Sequence, residues 1–320
     1  MRHRMVRKSK LPWTKWLSAL MVAAVASSCG LSWPSTSAQS HSGQPRHEKP
    51  LNQRPRPMTL TRHGNAVTIN MFAEETLVHI APGVTFPAWT FDGTVPGPVI
   101  ELSQGDHVTL TLHNLDPRMP HAIDLHAALI PPNENFTPVL PGHSKTIHFV
   151  ASVPGVFMYH CESSPMPLHI AQGMYGMVIV TPPGQHPPLF ALEQSEFYKP
   201  NSLTAVLSNK PRYVVFNGYA DRYVAHPLKA PLDKPFTVAV VNAGPNETSA
   251  FHVVGSILRD VQDTGNPRNN LYDVQTYAIP PGGGALIHLE FTQPGEYTFV
   301  SHVMSQFGRG AVGVFEVNGH

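Results

Sequence analysis

The chain has 320 residues, room for two domains of ordinary size. Only 13% are charged, the net charge is +1 with histidine neutral, and there are 33 prolines and 24 glycines. This charge balance gives no sign of nucleic-acid binding, and the composition reads as a loop-rich β protein and not a helical one.

The N-terminus begins MRHRMVRKSK and runs into WLSALMVAAVASSCG. A basic segment followed by a short apolar one reads as an export signal over residues 1–38, with cleavage after Ala38. The stretch is too short and too weakly apolar for a membrane span. The expected location is the periplasm, or the outer face of the membrane if Cys29 becomes a lipidated N-terminal cysteine. Residues 39–57 are polar and Pro-rich and read as a flexible tether.

A repeat organises the remainder. PGHSKTIHFVASVPGVFMYHC begins at Pro141, and PGGGALIHLEFTQPGEYTFVSH begins at Pro281. Pro-Gly pairs punctuate alternating strands in both. DHVTLTLHNL pairs with KPFTVAVVNAG, PHAIDLH with AFHVVGSI, and YGMVIV with AVGVFEV. The expected fold is all-β: two tandem Greek-key β-sandwiches at 58–182 and 211–318, joined by a linker over 183–210.

Cys161 is the one cysteine outside the leader, and it has His160 before it and His169 and Met174 after it. With His121 upstream, two histidines, a thiolate and a thioether form the ligand set of a blue-copper centre. Strand parity turns His160 away from Cys161. It also places Asp124 and His126 on one face of HAIDLH and His121 on the other. His126 and His160 then supply half of a second metal site, with His302 as the third ligand by its place in the repeat. Three imidazoles with an open position suit catalysis. Asp124 stands beside that position, able to pass protons. In the second copy Val300, Ser301 and Ala311 replace His160, Cys161 and Met174, so no second blue site is expected there. His252 aligns with His121 and reads either as a pocket residue or as a buried histidine.

HAIDLH, YHCESSPMPLHIAQGM and the late His302 together resemble the copper-containing nitrite reductases, within the two-domain multicopper oxidases, over residues 58–318. The resemblance implies two cupredoxin domains in a homotrimer. It implies type 1 copper on His121, Cys161, His169 and Met174, and type 2 copper on His126, His160 and a neighbour's His302. It also implies one-electron reduction of nitrite, or a similar small anion, to nitric oxide. An external donor such as a cytochrome or a small blue-copper protein would feed the electron, which would cross Cys161-His160. Asp124 would be catalytic. The family pattern further implies a catalytic histidine five residues after the one matching His252, and this chain has Ile257 there. His252 or a water chain would then take that task, or nitrite turnover would be slow, or the substrate would differ. Rival readings are a two-domain oxidase acting on dioxygen, a simple blue-copper electron carrier, and a copper-delivery protein. The absence of HxH and HCH pairs speaks against the oxidase. Histidines 126, 160 and 302 would be unexplained in a carrier.

Overall fold

A computed structural model describes residues 58–319. The leader, Cys29 and the tether lie outside the described residues. The described chain is built of β-strands with a few single-turn or two-turn helices. Among the described residues no helix is long and apolar enough to cross a membrane.

Two sheets enclose the first core. One joins Thr59–His63, Ala66–Ala81, Val84–Phe91, His107–Asn114 and Ser144–Val150. The other joins Ile100–Ser103, Tyr175–Thr181, Gly155–His160 and Asp124–Leu125. Alternating residues from both sheets, such as Ile69, Leu110, Leu125, Tyr159 and Val178, fill the space between. Each such side chain contributes on the order of 1.5–3 kcal/mol by leaving water. A second pair of sheets encloses Val238, Ile287, Phe251, Phe299 and Phe315.

A third cluster joins the two halves. Val156, Met158, Met177 and Ile179 of the first half pack on Ala239 and Val241 of the second. Strand Gly155–His160 is therefore covered on both faces, and all six of its residues are buried. Its odd-numbered side chains Phe157 and Tyr159 enter the first core, while Val156 and Met158 enter the seam. His160 follows the seam face, and Cys161 follows the core face.

The segment 183–210, expected to be a linker, is largely structured. Phe190–Phe197 runs parallel to Phe236–Gly244, as Ala66–Ala81 runs parallel to His107–Asn114. The repeat thus begins before residue 211. Charged Glu193 and Glu196 within FALEQSEF hide the strand from a hydrophobicity reading, because both are buried. A short helix, Leu203–Leu207, follows, with the Ser202 hydroxyl accepting from Ala205 N–H at its start.

Candidate metal centre

His121, Cys161 and His169 meet at the edge of the first core, with one ligand atom from each lying within 4.8 Å of the others. All three are fully buried. His169 Nδ1 lies 3.2 Å from Cys161 Sγ, and His121 Nδ1 lies 3.9 Å from it. Met174 is buried in the same core, and its carbonyl accepts Cys161 N–H at 3.1 Å. His169 sits on the two-turn helix Met166–Ala171, which the loop after Cys161 forms.

Two supporting groups were not evident from sequence. His121 Nε2–H donates to buried Asp116 Oδ2 at 3.1 Å, which directs the Nδ1 lone pair at the sulfur. Ala122 N–H donates to Cys161 Sγ at 3.3 Å. Burial would raise the thiol, but the two imidazoles outweigh it and hold Cys161 down at about 5. Burial would lower His121, but Asp116 and Cys161 lift it to about 9. A thiolate with two imidazole nitrogens and a buried thioether close by is a donor set that fits copper.

Across the strand lies the second cluster. Asp124 pairs with His160 in the antiparallel ladder. His126 Nε2 and His160 Nε2 face each other at 3.1 Å. Asp124 Oδ2 stands 3.7 Å from the His160 nitrogen and 4.0 Å from that of His126. His160 Nδ1–H donates to the Cys161 carbonyl at 3.1 Å, so Nε2 is the nitrogen presented to the cluster. His126 is braced by the Gly282 carbonyl of the second half, while burial and the neighbouring His160 together lower its pKa. Two free imidazole nitrogens converging beside a carboxylate fit a second metal.

His302 is not in this cluster within one chain. It is exposed, and its ring lies edge-on to His252 at 5.4 Å between centroids. His252 Nδ1–H donates to the Gln275 carbonyl at 2.6 Å. Ile257 is an exposed loop residue after strand Ser249–Val253.

The register of the repeat differs from the sequence alignment. Ala250 N–H donates to Ser301 Oγ at 3.1 Å, as Ala122 N–H donates to Cys161 Sγ. Ser249 pairs with Ile279, as His121 bridges Val139. Asn242 ties the Glu247 and Ile279 carbonyls, as Asn114 ties those of Met119 and Val139. Ser249, not His252, therefore takes the place of His121. The chain between the two paired segments differs in length in the two halves, which hides this correspondence in the sequence.

A multicopper oxidase family model matches residues 72–185. The copper-containing nitrite reductase of Neisseria meningitidis serogroup A is 35% identical over 272 residues, covering 79% of this chain and 70% of the relative. The chain belongs to the family of copper-containing nitrite reductases. A solved copper nitrite reductase from Nitrosomonas europaea superposes with TM-score 0.77 at 38% identity, covering 79% of this chain and 94% of that one. A copper-containing nitrite reductase from Thermus scotoductus gives 0.74 at 31% identity, covering 78% and 61%. As a member of the copper-containing nitrite reductases, the chain is a copper-dependent oxidoreductase with type 1 and type 2 copper.

Proposed function

We propose that this chain reduces nitrite to nitric oxide, consuming one electron and two protons and releasing water. The observation that carries the reading is the position of Cys161 and His160. They are adjacent in the chain, yet each joins a different ligand cluster. In this reading His121, Cys161, His169 and Met174 hold type 1 copper, and His126, His160 and His302 hold type 2 copper. The metals supply one-electron transfer and an electrophilic seat for a small anion.

The protein residues do the rest. The Cys161-His160 peptide unit is the short covalent path for the electron between the two ligand sets. Asp124 is placed to hand a proton to an anion's oxygen, being within 4.0 Å of both histidine nitrogens. His252, anchored through Nδ1, offers its other nitrogen as the second proton source beside His302. Ile257 therefore does not leave the site without a relay.

A symmetric trimer would complete the type 2 set by bringing a neighbour's His302 to His126 and His160. Exposed Val254, Ile257, Val303 and Met304 flank His252 and His302, and such an apolar rim suits an interface with a second copy. Export to the periplasm, with an external cytochrome or small blue-copper protein as donor, completes the reading.

The test is nitric oxide production from nitrite by copper-loaded protein with a reduced artificial donor, beside a His126→Ala control. Production that the control lacks is expected. No production from protein holding both coppers rules nitrite out as the substrate. Dioxygen uptake measured in the same samples addresses the oxidase reading.

A further inference from the structure

The second half keeps the outline of the thiolate site but fills it differently. Ser301 stands where Cys161 stands, and its N–H donates to the Ala311 carbonyl as that of Cys161 donates to Met174. Ser249 replaces His121. Gln306, on the short helix Met304–Phe307, reaches Ser301 Oγ as His169 on its own short helix reaches Cys161 Sγ.

The four polar side chains form a closed network. Gln306 Oε1 accepts from Ser301 Oγ and from Gln194 Nε2. Gln306 Nε2 donates to Glu247 Oε2 at 3.1 Å and to the Thr248 carbonyl at 3.0 Å. Ser249 Oγ donates to Gln194 Oε1 at 2.7 Å. Gln194, Ser249, Ser301 and Gln306 are all buried. Both donors and both lone pairs of the Gln306 amide are satisfied, which leaves it one geometry.

The contacts made by this amide explain what that geometry serves. Ser301 immediately precedes His302. Glu247 and Thr248 immediately precede the strand Ser249–Val253 that carries His252. Ala250, between them, donates its N–H to Ser301 Oγ and accepts His302 N–H at 2.7 Å. One buried side chain thus ties together the two backbone segments that bear half-buried His252 and exposed His302.

We propose that Gln306 is a positioning residue for His302 and His252, setting the aim of the pair toward the type 2 site from inside the vacated thiolate site. The proposal rests on the reading of those two histidines as active-site residues. Gln306→Leu would keep the volume but leave Ser301 Oγ and Gln194 Nε2 without their acceptor, so it removes the ties and not the bulk.

The experiment compares full-length wild type with Gln306→Leu, Ser301→Ala and His302→Ala. Copper affinity at the type 2 site is measured by chelator competition, its copper hyperfine splitting by paramagnetic resonance, and the type 1 site by visible absorption. Gln306→Leu is expected to weaken type 2 copper by on the order of 10-fold or more and to shift its hyperfine splitting. Visible absorption and oligomer mass should stay unchanged. Ser301→Ala removes one contact of the network and should give a smaller change of the same kind. It decides the matter with the same readouts if Gln306→Leu fails to fold. Wild-type affinity and splitting in the foldable variants, alongside loss of type 2 copper in His302→Ala, overturns the role of Gln306 and leaves the site intact. Retention of type 2 copper in His302→Ala overturns both.

Discussion

Asp124 and His252 occupy the same position of the repeat. Each lies two residues after an alanine whose N–H caps a cysteine or serine side chain, at Ala122 and Ala250. Asp124 pairs across the ladder with His160, and His252 pairs with Val300. The two halves thus carry one acid and one imidazole at equivalent strand positions, and the trimer proposed above would set one against the other across a subunit boundary.

Replacing either group should slow proton delivery without touching the thiolate site. Asp124→Asn and His252→Asn are each expected to lower nitrite turnover by on the order of 100-fold or more, with visible absorption unchanged. Ile257→His should restore nothing in the His252→Asn background. Restoration in steady-state assays would move the relay to position 257.

The division of ligands between chains has a direct genetic test. His126→Ala and His302→Ala should each be inactive alone. Mixed trimers assembled from both should regain roughly a quarter of wild-type activity, since one interface in four combines the intact halves. Mixed trimers with no activity would mean that each chain completes its own site.

Asp116 controls the tautomer of His121. Its Oδ1 accepts Arg118 N–H at 2.7 Å and Met119 N–H at 3.0 Å, which holds Oδ2 on the ring. Asp116→Asn would present an amide N–H to Nε2 and drive the ring proton to Nδ1, the nitrogen facing the sulfur. Copper affinity at the Cys161 cluster is expected to fall roughly 10- to 100-fold. Chelator titration followed by visible absorption measures this, and type 2 copper content should not change.

Asp92 offers a stability test independent of copper. Burial raises its carboxyl from 3.8 to about 7, despite the hydrogen bond from Phe72 N–H. The fold thus holds a proton that the unfolded chain releases between those two values. The stability of the neutral acid is complete below 3.8 and lost as pH rises through about 7. In the second half Asn217 fills the matching left-handed turn, with φ 50° against 57° at Asp92. Asp92→Asn should stabilise the protein at pH 8 by up to a few kcal/mol, with a smaller gain at pH 5. Denaturant midpoints at the two pH values check it. Equal gains at both would show that the carboxyl does not carry the effect.

Much of this architecture is legible in the residues, for identifiable reasons. The opposed faces of His160 and Cys161 follow from strand parity alone, because a two-residue period leaves no other choice. The His126, His160 and Asp124 grouping follows from the same rule. Asp116 is not legible because its role depends on a turn that folds it back onto His121, nor is Ala122, whose contribution is a backbone N–H. His252 looks like the counterpart of His121 because both are histidines in similar segments, but the two halves differ in spacing. The shift is 140 at His160 and Val300 but 128 at Asp124 and His252. The strand Phe190–Phe197 is hidden in the sequence because its buried glutamates read as solvent-facing.

The paired Pro-Gly turns have diverged in task. Gly142 in the first half has open space beside its Cα. Its counterpart Gly282 leans on His126, with its carbonyl bracing the ring and a methyl at its Cα falling 3.4 Å from Cε1. The Gly282 turn connects two strands and also acts as a rest for an imidazole in the other half. The docking of the two sandwiches thereby helps set where the His126 ring stands, and in the proposed type 2 site substitutions along the apolar seam would reach the metal without touching a ligand.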